Sequence, residues 1–310
     1  MPRFGKGKPM AEQARSLLKK YLNLTSRHTA KQSLSIKGSK TTGNIHSLRT
    51  FDKYSSSLKL AGEWAKKHNH VLHLKDITPE LAQRYLEDRC VQGIAQKQLD
   101  VDRVSLQFIT GRNTIDRVYA LNQAKKQSRA YTKPQVRMIA NAQNPRNSLS
   151  TRIAKESGIR AHELLTLRRS GELKPSEHRT WSKERFMGRE GVRYVVTGKG
   201  GLRREVLLSK QTANELEMHR LKEPVMVSDR GVHYQQHYDI SGGNTWSKSF
   251  SEASSRVFGW SHGAHGLRHA YAQQRMQELQ KLGKDYTQAR NIVSQELGHF
   301  RGDVVETYLR

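Results

Sequence analysis

The spacing of apolar residues predicts a chain that is mainly α-helical. In the first half, apolar positions recur at intervals of three and four, as on the buried face of an amphipathic helix. One stripe covers about 10–24 and a second covers 48–64. Thr78 and Pro79 supply an N-cap and a first-turn proline for a further helix, and the last helix of this half ends at Gly111.

The second half mixes helices with one strand pair. Runs rich in β-branched residues at 192–197 and 202–208 flank Gly198-Lys199-Gly200-Gly201, which predicts a β-hairpin with Lys199 at its tip. We therefore predict a mainly α fold with a small β-hairpin or sheet, built as a helical domain followed by a mixed α+β domain. The helices of the second domain are expected at 153–167, 211–221, 246–257, 266–279, 286–297 and 303–310.

Composition changes divide the 310 residues into three parts. Residues 1–44 carry ten Lys and Arg against a single acid, Glu12, and we interpret them as a basic N-terminal arm with one helix. Within that arm, 26–44 is too polar to pack a core. An all-helical domain is expected over 45–127, and a second domain over 128–310, after a linker of basic and small residues.

The net charge favours a polyanionic partner. Fifty-five Lys and Arg against 28 Asp and Glu give +27, spread along the whole chain, which predicts nucleic-acid binding that weakens steeply with salt. Charge alone also fits a solvated basic surface. Cys90 is the only cysteine, so an internal disulfide and a cysteine-based zinc site are excluded. With no apolar run of membrane-spanning or signal-peptide type, we expect a cytoplasmic, nucleoid-associated protein without a membrane partner.

The C-terminal half gathers residue types that suit chemistry on a phosphodiester. His265 and Arg268 form an H-x-x-R segment, His299 follows Leu-Gly, and Tyr308 lies nine residues further on. Arg160 lies upstream in a Gly-Ile-Arg-Ala-His-Glu-Leu segment. A planar guanidinium can satisfy two phosphate oxygens at once, and a phenol with a pKa near 10 needs nearby cations before it attacks as a phenolate.

In order and spacing these residues resemble the tyrosine recombinases, also called the phage integrase family. The resemblance covers 131–310 by motif and 45–127 by architecture alone. It implies a core-binding domain that clamps DNA opposite a catalytic domain. It further implies a site-specific DNA recombinase or integrase that cleaves and rejoins strands through a 3'-phosphotyrosyl intermediate, for integration or excision of a mobile element. The motif residues are Arg160, Lys199, His265, Arg268, His299 and Tyr308.

The resemblance also gives each of these residues a role. Tyr308 is the expected nucleophile, Arg160 and Arg268 are expected to bind the phosphate, and Lys199 to protonate the departing 5'-oxygen as general acid. Three further residues are expected to assist: His265 and His299 as hydrogen-bond donors or proton shuttles, and Glu163 as a supporting carboxylate that orients an arginine or histidine.

No cofactor is expected. The sequence has neither a phosphate-binding loop for ATP nor a cluster of carboxylates for two metal ions, and exchange of one phosphodiester for another ester preserves bond energy. One metal hypothesis stays open, since His262, His265 and His269 have helical spacing, although Gly263 and Gly266 interrupt the helix there. The expected partners are double-stranded DNA, a homotetramer on two paired sites, and possible accessory DNA-bending or directionality factors.

Two other functions fit the same motif. A type IB topoisomerase uses the same constellation to relax supercoils at a single site. A DNA-binding regulator could keep the fold and lose the reaction. The chain also departs from the family: 281–285 suggests an extended loop, the composition of 225–244 is unusual, and only Leu309 and Arg310 follow the tyrosine.

Overall fold

The computed structural model describes residues 8–24, 43–121 and 127–310, which form two compact units divided between Lys125 and Lys126. The described part of the first unit is helical. Its helices are α1 (Met10–Lys19), α2 (Leu48–Asn69), α3 (Pro79–Val91) and α4 (Gln96–Thr110), with a short 3-10 turn at Leu74–Asp76.

Capping side chains start two of the four described helices of the first unit. The Ser47 side chain accepts from the Thr50 N–H and starts α2, and Thr78 accepts from the Leu81 N–H ahead of α3. The predicted cap and first-turn proline of α3 are therefore confirmed. A core of buried side chains joins the four helices and includes Leu18, Phe51, Leu58, Leu86 and Leu106.

The predicted boundary at residue 44 needs correction. Helix α1 is no separate arm, because its buried face, Met10, Ala14 and Leu18, lies in the same core as α2. An apolar stripe on a ten-residue helix needs such a partner to be stable. The helix ends at Lys19 and not at Leu24. Most of the polar stretch 26–44 lies outside the described residues, so its interpretation as a mobile basic arm stays a prediction.

The second unit combines helices with two small antiparallel sheets. Its helices are α5 (Lys133–Asn141), α6 (Pro145–Ser157), α7 (Lys210–Met218), α8 (Gly243–Phe258), α9 (Gly266–Lys281) and α10 (Tyr286–Glu296). Its strands are β1 (Arg168–Arg169), β2 (Val192–Thr197), β3 (Arg203–Leu208), β4 (Arg220–Asp229) and β5 (Val232–Tyr238), paired in the orders β1-β2-β3 and β4-β5. Short 3-10 turns cover Ala161–Thr166, Lys199–Gly201 and Gly302–Thr307.

The predicted fold class is confirmed, including the first hairpin, in which Val192 pairs with Leu208 and Thr197 with Arg203. The second hairpin, β4-β5, was not predicted. Its two-residue turn, Arg230-Gly231, has positive φ at both positions, which suits the tight connection of two strands. Strand β4 is exposed along most of its length, so it lacks the alternation of buried and exposed positions that marks a strand in sequence.

Three predicted helices of the second unit differ from the structure. The helix expected over 211–221 ends at Met218, and the one over 153–167 is divided into α6 and the 3-10 turn Ala161–Thr166. The last one, from 303 onwards, is the 3-10 turn Gly302–Thr307. The extended loop expected at 281–285 is instead a short turn, since α9 runs to Lys281 and α10 begins after its cap, Asp285.

A hydrophobic cluster holds the C-terminal elements of the second unit together. It joins α9, α10 and the last 3-10 turn through Tyr271, Met276, Ile292, Leu297, Val305 and Tyr308. Burying such side chains stabilises the unit by roughly 1.5–3 kcal/mol each. Among the described residues, no helix is both long and apolar enough to cross a membrane.

Candidate active site

Arg160 is held in place by a turn that the Glu163 carboxylate closes. Gly158 follows the end of helix α6, its φ of 62° lies in the left-handed region, and a Cβ at this position would meet Leu297 and Tyr271 at 2.8 Å. The chain then turns at Arg160, where the Glu163 carboxylate accepts from the Arg160 backbone N–H at 2.7 Å and from Nη1 at 2.8 Å. The guanidinium is thus fixed and only partly exposed.

Glu163 joins Arg160 to a second arginine. The carboxylate is 0% exposed and also accepts from Nη2 of Arg204 on β3 at 2.9 Å. Burial opposes ionisation, but the guanidiniums of Arg204 and Arg160 outweigh it and hold the pKa of Glu163 well below its usual value. Glu163 is therefore a carboxylate at neutral pH, and it orients both arginines.

Arg268 provides a third guanidinium from the first turn of α9. Its side chain is 1% exposed, donates from Nη1 to the Gly158 carbonyl at 2.6 Å, and donates from Nη2 to the Leu297 carbonyl. Burial and the nearby charge of Arg160 lower the pKa of Arg268 to about 10. The α6 terminus and the α10 terminus thus position this arginine from two sides.

His299 lies where Arg160 and Arg268 converge. Nη2 of each arginine lies 3.2 Å from His299 Nε2. Because a guanidinium can only donate, Nε2 must be the acceptor, and the ring proton of the neutral imidazole is on Nδ1. Burial and the charges of Arg268 and Arg160 lower the pKa of His299 to about 3, so the ring is neutral at physiological pH.

The Tyr308 side chain reaches the same position, His299 Nε2, from the end of the 3-10 turn Gly302–Thr307. Its hydroxyl is 3.4 Å from His299 Nε2, and the Arg268 guanidinium carbon is 5.3 Å from the centre of its ring. The side chain is 7% exposed and packs in the cluster of α9 and α10. The phenol oxygen, a neutral imidazole and two guanidiniums thus converge within one subunit.

The two remaining predicted residues, Lys199 and His265, are placed less directly. Lys199 begins the 3-10 turn between β2 and β3, but its side chain lies outside the described part of the structure, and its role as general acid stays a prediction. Gly198, just before it, lies so close to Glu163 that a Cβ would meet Oε1 at 2.8 Å. The backbone ahead of Lys199 therefore runs directly beside the Arg160–Glu163 pair.

His265 precedes α9 and is exposed, with its ring centre 5.7 Å from that of Tyr308. Its ring is also 5.6 Å from that of His269, which packs edge-on to the Tyr308 ring at 5.1 Å. Partial burial and the charge of Arg268 lower the pKa of His265 to about 4, so we expect a neutral ring. His262 instead packs on Trp260, and within the described ranges no three His, Cys, Asp or Glu side chains gather as metal ligands do.

Arg204 is the site residue that the sequence did not reveal. It is 1% exposed in β3, donates from Nε to the Glu296 carbonyl at 3.1 Å, and holds Glu163 through Nη2. A buried arginine in the sequence Arg203-Arg204-Glu205 looks like any exposed strand arginine. The only available signal was its register in the hairpin, which places Arg204 opposite the buried Val196.

This geometry can bind and polarise a tetrahedral anion. Arg160 and Arg268 present preorganised donors whose charges are not cancelled by the single carboxylate, and a phenol lies beside them with a proton acceptor in reach. Such a set suits nucleophilic attack on phosphorus better than chemistry that needs a carboxylate base or a thiol.

Solved structures of site-specific recombinases and integrases have a similar fold. A XerH site-specific recombinase bound to palindromic difH substrate, in a post-cleavage complex, aligns at 15% identity and a TM-score of 0.55 over 97% of this chain and 90% of that one. A lambda integrase tetramer bound to a Holliday junction gives 15% and 0.56 over 99% and 82%. The Tn1549 transposon integrase in complex with circular intermediate DNA gives 10% and 0.52 over 93% and 96%.

No protein-family model matches the sequence, and a search of curated proteins gives no match. The likeness to solved structures extends over nearly the whole chain at low sequence identity, so it concerns the fold. The resemblance noted in the sequence is confirmed at that level: the chain has the fold of the tyrosine recombinases.

Proposed function

We propose that this protein is a site-specific DNA recombinase that integrates or excises a mobile element. The observation that carries the proposal is the convergence of Arg160, Arg268 and Tyr308 on His299, with distances of 3.2, 3.2 and 3.4 Å to Nε2. The net charge of +27 supports a polyanionic substrate. The fold neighbours that have DNA bound support double-stranded DNA as that substrate.

In the proposed cleavage step, Tyr308 Oη attacks the scissile phosphorus. The O–P bond to tyrosine forms as the P–O bond to the 5'-oxygen breaks, which leaves a 3'-phosphotyrosyl ester and a free 5'-hydroxyl. The phenol proton passes to His299 Nε2, and Lys199 gives a proton to the departing oxygen. Arg160 and Arg268 stabilise the extra charge on the non-bridging oxygens of the five-coordinate state.

His299 is a weak base in the free protein because of the two arginines beside it. A bound phosphodiester carries one negative charge and draws the guanidinium N–H groups onto its own oxygens. Both effects raise the pKa of His299 and leave its Nε2 lone pair to the phenol. Rejoining follows by the reverse route, when the 5'-hydroxyl of another strand attacks the phosphotyrosyl ester and releases Tyr308.

The reaction needs no external energy source, because one phosphate ester replaces another at each step. We propose that it proceeds without metal or ATP. We also propose that residues 45–127, together with α1, form a DNA-clamping domain, and that 128–310 form the catalytic domain. The active assembly in this proposal is a homotetramer on two paired sites. Accessory DNA-bending or directionality factors are further proposed partners of this assembly.

The test is covalent capture on a pool of nicked duplexes with a randomised core, so that the protein itself selects its target sequence. A nick just beyond the cleaved bond lets the short fragment diffuse away and traps the adduct. We expect DNA that stays with the denatured wild-type protein to converge on one sequence, and Tyr308→Phe to bind that sequence without an adduct. If the wild-type protein forms no adduct, or if Tyr308→Phe still forms one, the proposal is contradicted.

The recovered sequence then separates recombination from relaxation. Two copies of it on one plasmid should yield deletion or inversion products with the wild-type protein. Relaxation of supercoils without exchange between the two copies would instead support the topoisomerase alternative. Specific binding without any covalent adduct would support the regulator alternative.

A further inference from the structure

Gln273 ties the C-terminal residues to the segment with which the second unit begins. It lies on α9, one turn beyond His269 and five residues beyond Arg268. Its Nε2 donates to the carbonyls of Tyr308 at 3.1 Å and Arg310 at 2.8 Å, and to the Ser128 hydroxyl at 3.1 Å. Since an amide carries only two N–H protons, the three acceptors share them in one compact arrangement.

The turn that carries Tyr308 depends on such outside contacts. The turn Gly302–Thr307 is a 3-10 helix, whose hydrogen bonds are poorer in geometry than those of an α-helix. The Tyr308 N–H bonds back to the Val305 carbonyl at 2.7 Å. Gln273 bonds to the backbone at Tyr308 and at Arg310, while His269 packs against the Tyr308 ring and bonds to the Tyr308 backbone.

We propose that Gln273 is a positioning residue for Tyr308. By fixing the carbonyls of residues 308 and 310, it holds the phenol at His299 Nε2 and beside the Arg268 guanidinium. This inference rests on the proposed function and adds to it a residue that the sequence motif does not contain. Among the described residues, the Gln273 side chain donates to Ser128, Tyr308 and Arg310 and to neither His299 nor the phenol oxygen, so it acts through the backbone of the nucleophile's own segment.

The expected effect follows from the sensitivity of attack to geometry. A displacement of the reacting atom by about 1 Å can slow an enzymatic step about 100-fold. Gln273→Glu has the same shape but, when ionised, offers no donor and sets a carboxylate against three oxygens. Gln277→Glu makes the same charge change one turn further along α9, at an exposed position, and is the matched control.

The first measurement is the single-turnover rate of adduct formation at saturating DNA, on the sequence recovered by covalent capture. For Gln273→Glu we expect a rate about 10- to 100-fold below that of Gln277→Glu, with equal DNA affinity and equal melting temperature. Gln273→Ala, which removes the donor without adding charge, should slow the rate in the same direction. Equal rates in all variants, or a parallel loss of affinity and melting temperature, would overturn the positioning role.

The second measurement needs no DNA. Hydrogen exchange of the peptide that covers 302–310 should be faster in Gln273→Glu and Gln273→Ala than in wild type, and unchanged in Gln277→Glu. A wild-type protein that forms no adduct on any DNA would contradict the proposed function, while the exchange would still decide whether Gln273 holds the segment. Unchanged exchange in both Gln273 variants would show that it does not.

Discussion

Two groups of buried or partly buried charges in the second unit differ in how their charges balance. The first, the site cluster, sets Arg160, Arg204 and Arg268 around one carboxylate, Glu163. The second, the C-terminal ion network, pairs Arg189 and Arg275 with Glu278 and Glu296, and the last three of these residues lie on α9 and α10. Its ion pairs are Arg275–Glu296 at 3.0 Å, Arg275–Glu278 at 3.2 Å and Arg189–Glu278 at 2.7 Å.

The excess charge of the site cluster has a visible cost. Burial and Arg160 lower the pKa of Arg268 to about 10, and among the described residues Arg268 Nε and Arg204 Nη1 have no hydrogen-bond partner. In the C-terminal ion network, by contrast, Glu296 also accepts from Tyr271 and from the Phe186 N–H. A balanced network stabilises the fold, whereas uncompensated guanidiniums beside a phenol indicate an anion-binding site.

The largest effect should come from replacing an arginine of the site cluster by lysine. Arg160→Lys and Arg268→Lys keep the charge but lose the bidentate fork, so we expect each to slow adduct formation by about 100- to 1000-fold. Arg275→Lys makes the same change in the C-terminal ion network and is the control. Single-turnover rates at saturating DNA measure the effect. If Arg275→Lys slows cleavage as much as the site variants, the distinction between the two groups is lost.

Replacing one arginine by methionine should change the free energy of unfolding differently in the two groups. Arg275→Met leaves a buried carboxylate with one cation fewer, so we expect it to lower the free energy of unfolding by about 3–5 kcal/mol. Arg268→Met also leaves carbonyls without a donor, but it relieves repulsion with Arg160 and should cost less. Urea unfolding of both variants measures the difference. A larger loss for Arg268→Met would show that the site cluster is built for stability.

A dependence on pH should follow from the neutral histidines of the site. Burial, with nearby arginines, lowers the pKa of His299 to about 3 and that of His269 to about 4. Between those values and about 6.5, the unfolded chain binds protons that the folded one does not, so stability falls as pH falls. From pH 6.5 to 5.5 we expect a loss of about 1 kcal/mol for each histidine.

The C-terminal ion network should respond in a lower pH range. Burial opposes ionisation of Glu278, but hydrogen bonds and the charge of Arg189 hold its pKa at about 2, so its contribution to the free energy of unfolding is lost only below about pH 4.5.

Calorimetry of wild type and His299→Gln at pH 6.5 and 5.5 measures how much of the loss of stability comes from His299. The variant should show the smaller loss, and equal losses in both proteins would argue against a neutral His299.

The smallest effect is expected from chelation. Arg160 and Arg268 supply the positive charge that a metal ion would otherwise bring to the phosphate, so adduct formation should be unchanged in excess EDTA. The rate with and without chelator is the measurement. Activity that EDTA removes and a divalent ion restores would support the metal hypothesis for His262, His265 and His269.

The sequence predicted most of the fold because the helices and the first hairpin carry local signals. Thr78 before α3 and the glycines around β2-β3 are such signals, and both agree with the structure. The hairpin β4-β5 was missed because its first strand is exposed and lacks an alternating pattern. The long polar stretch after α1 suggests a separate arm, but the apolar face of α1 packs on α2.

The convergence of four candidate site residues was predictable from residue type and order. Arg160, Arg268, His299 and Tyr308 lie far apart in sequence and meet in the structure. Arg204 and Gln273 were not predictable, because their importance comes from contacts made across the fold. Neither a strand arginine nor a helix glutamine differs in sequence from its solvent-exposed equivalents.

The central claim is that Tyr308 forms the bond to DNA within this cluster of cations. The most direct test is mass spectrometry of the peptide that retains a nucleotide after covalent capture, nuclease treatment and proteolysis. We expect the nucleotide on the C-terminal peptide, with fragmentation that assigns the phosphate to Tyr308. Attachment to any other residue, or recovery of that peptide only in unmodified form from a protein that has cleaved DNA, would contradict the account.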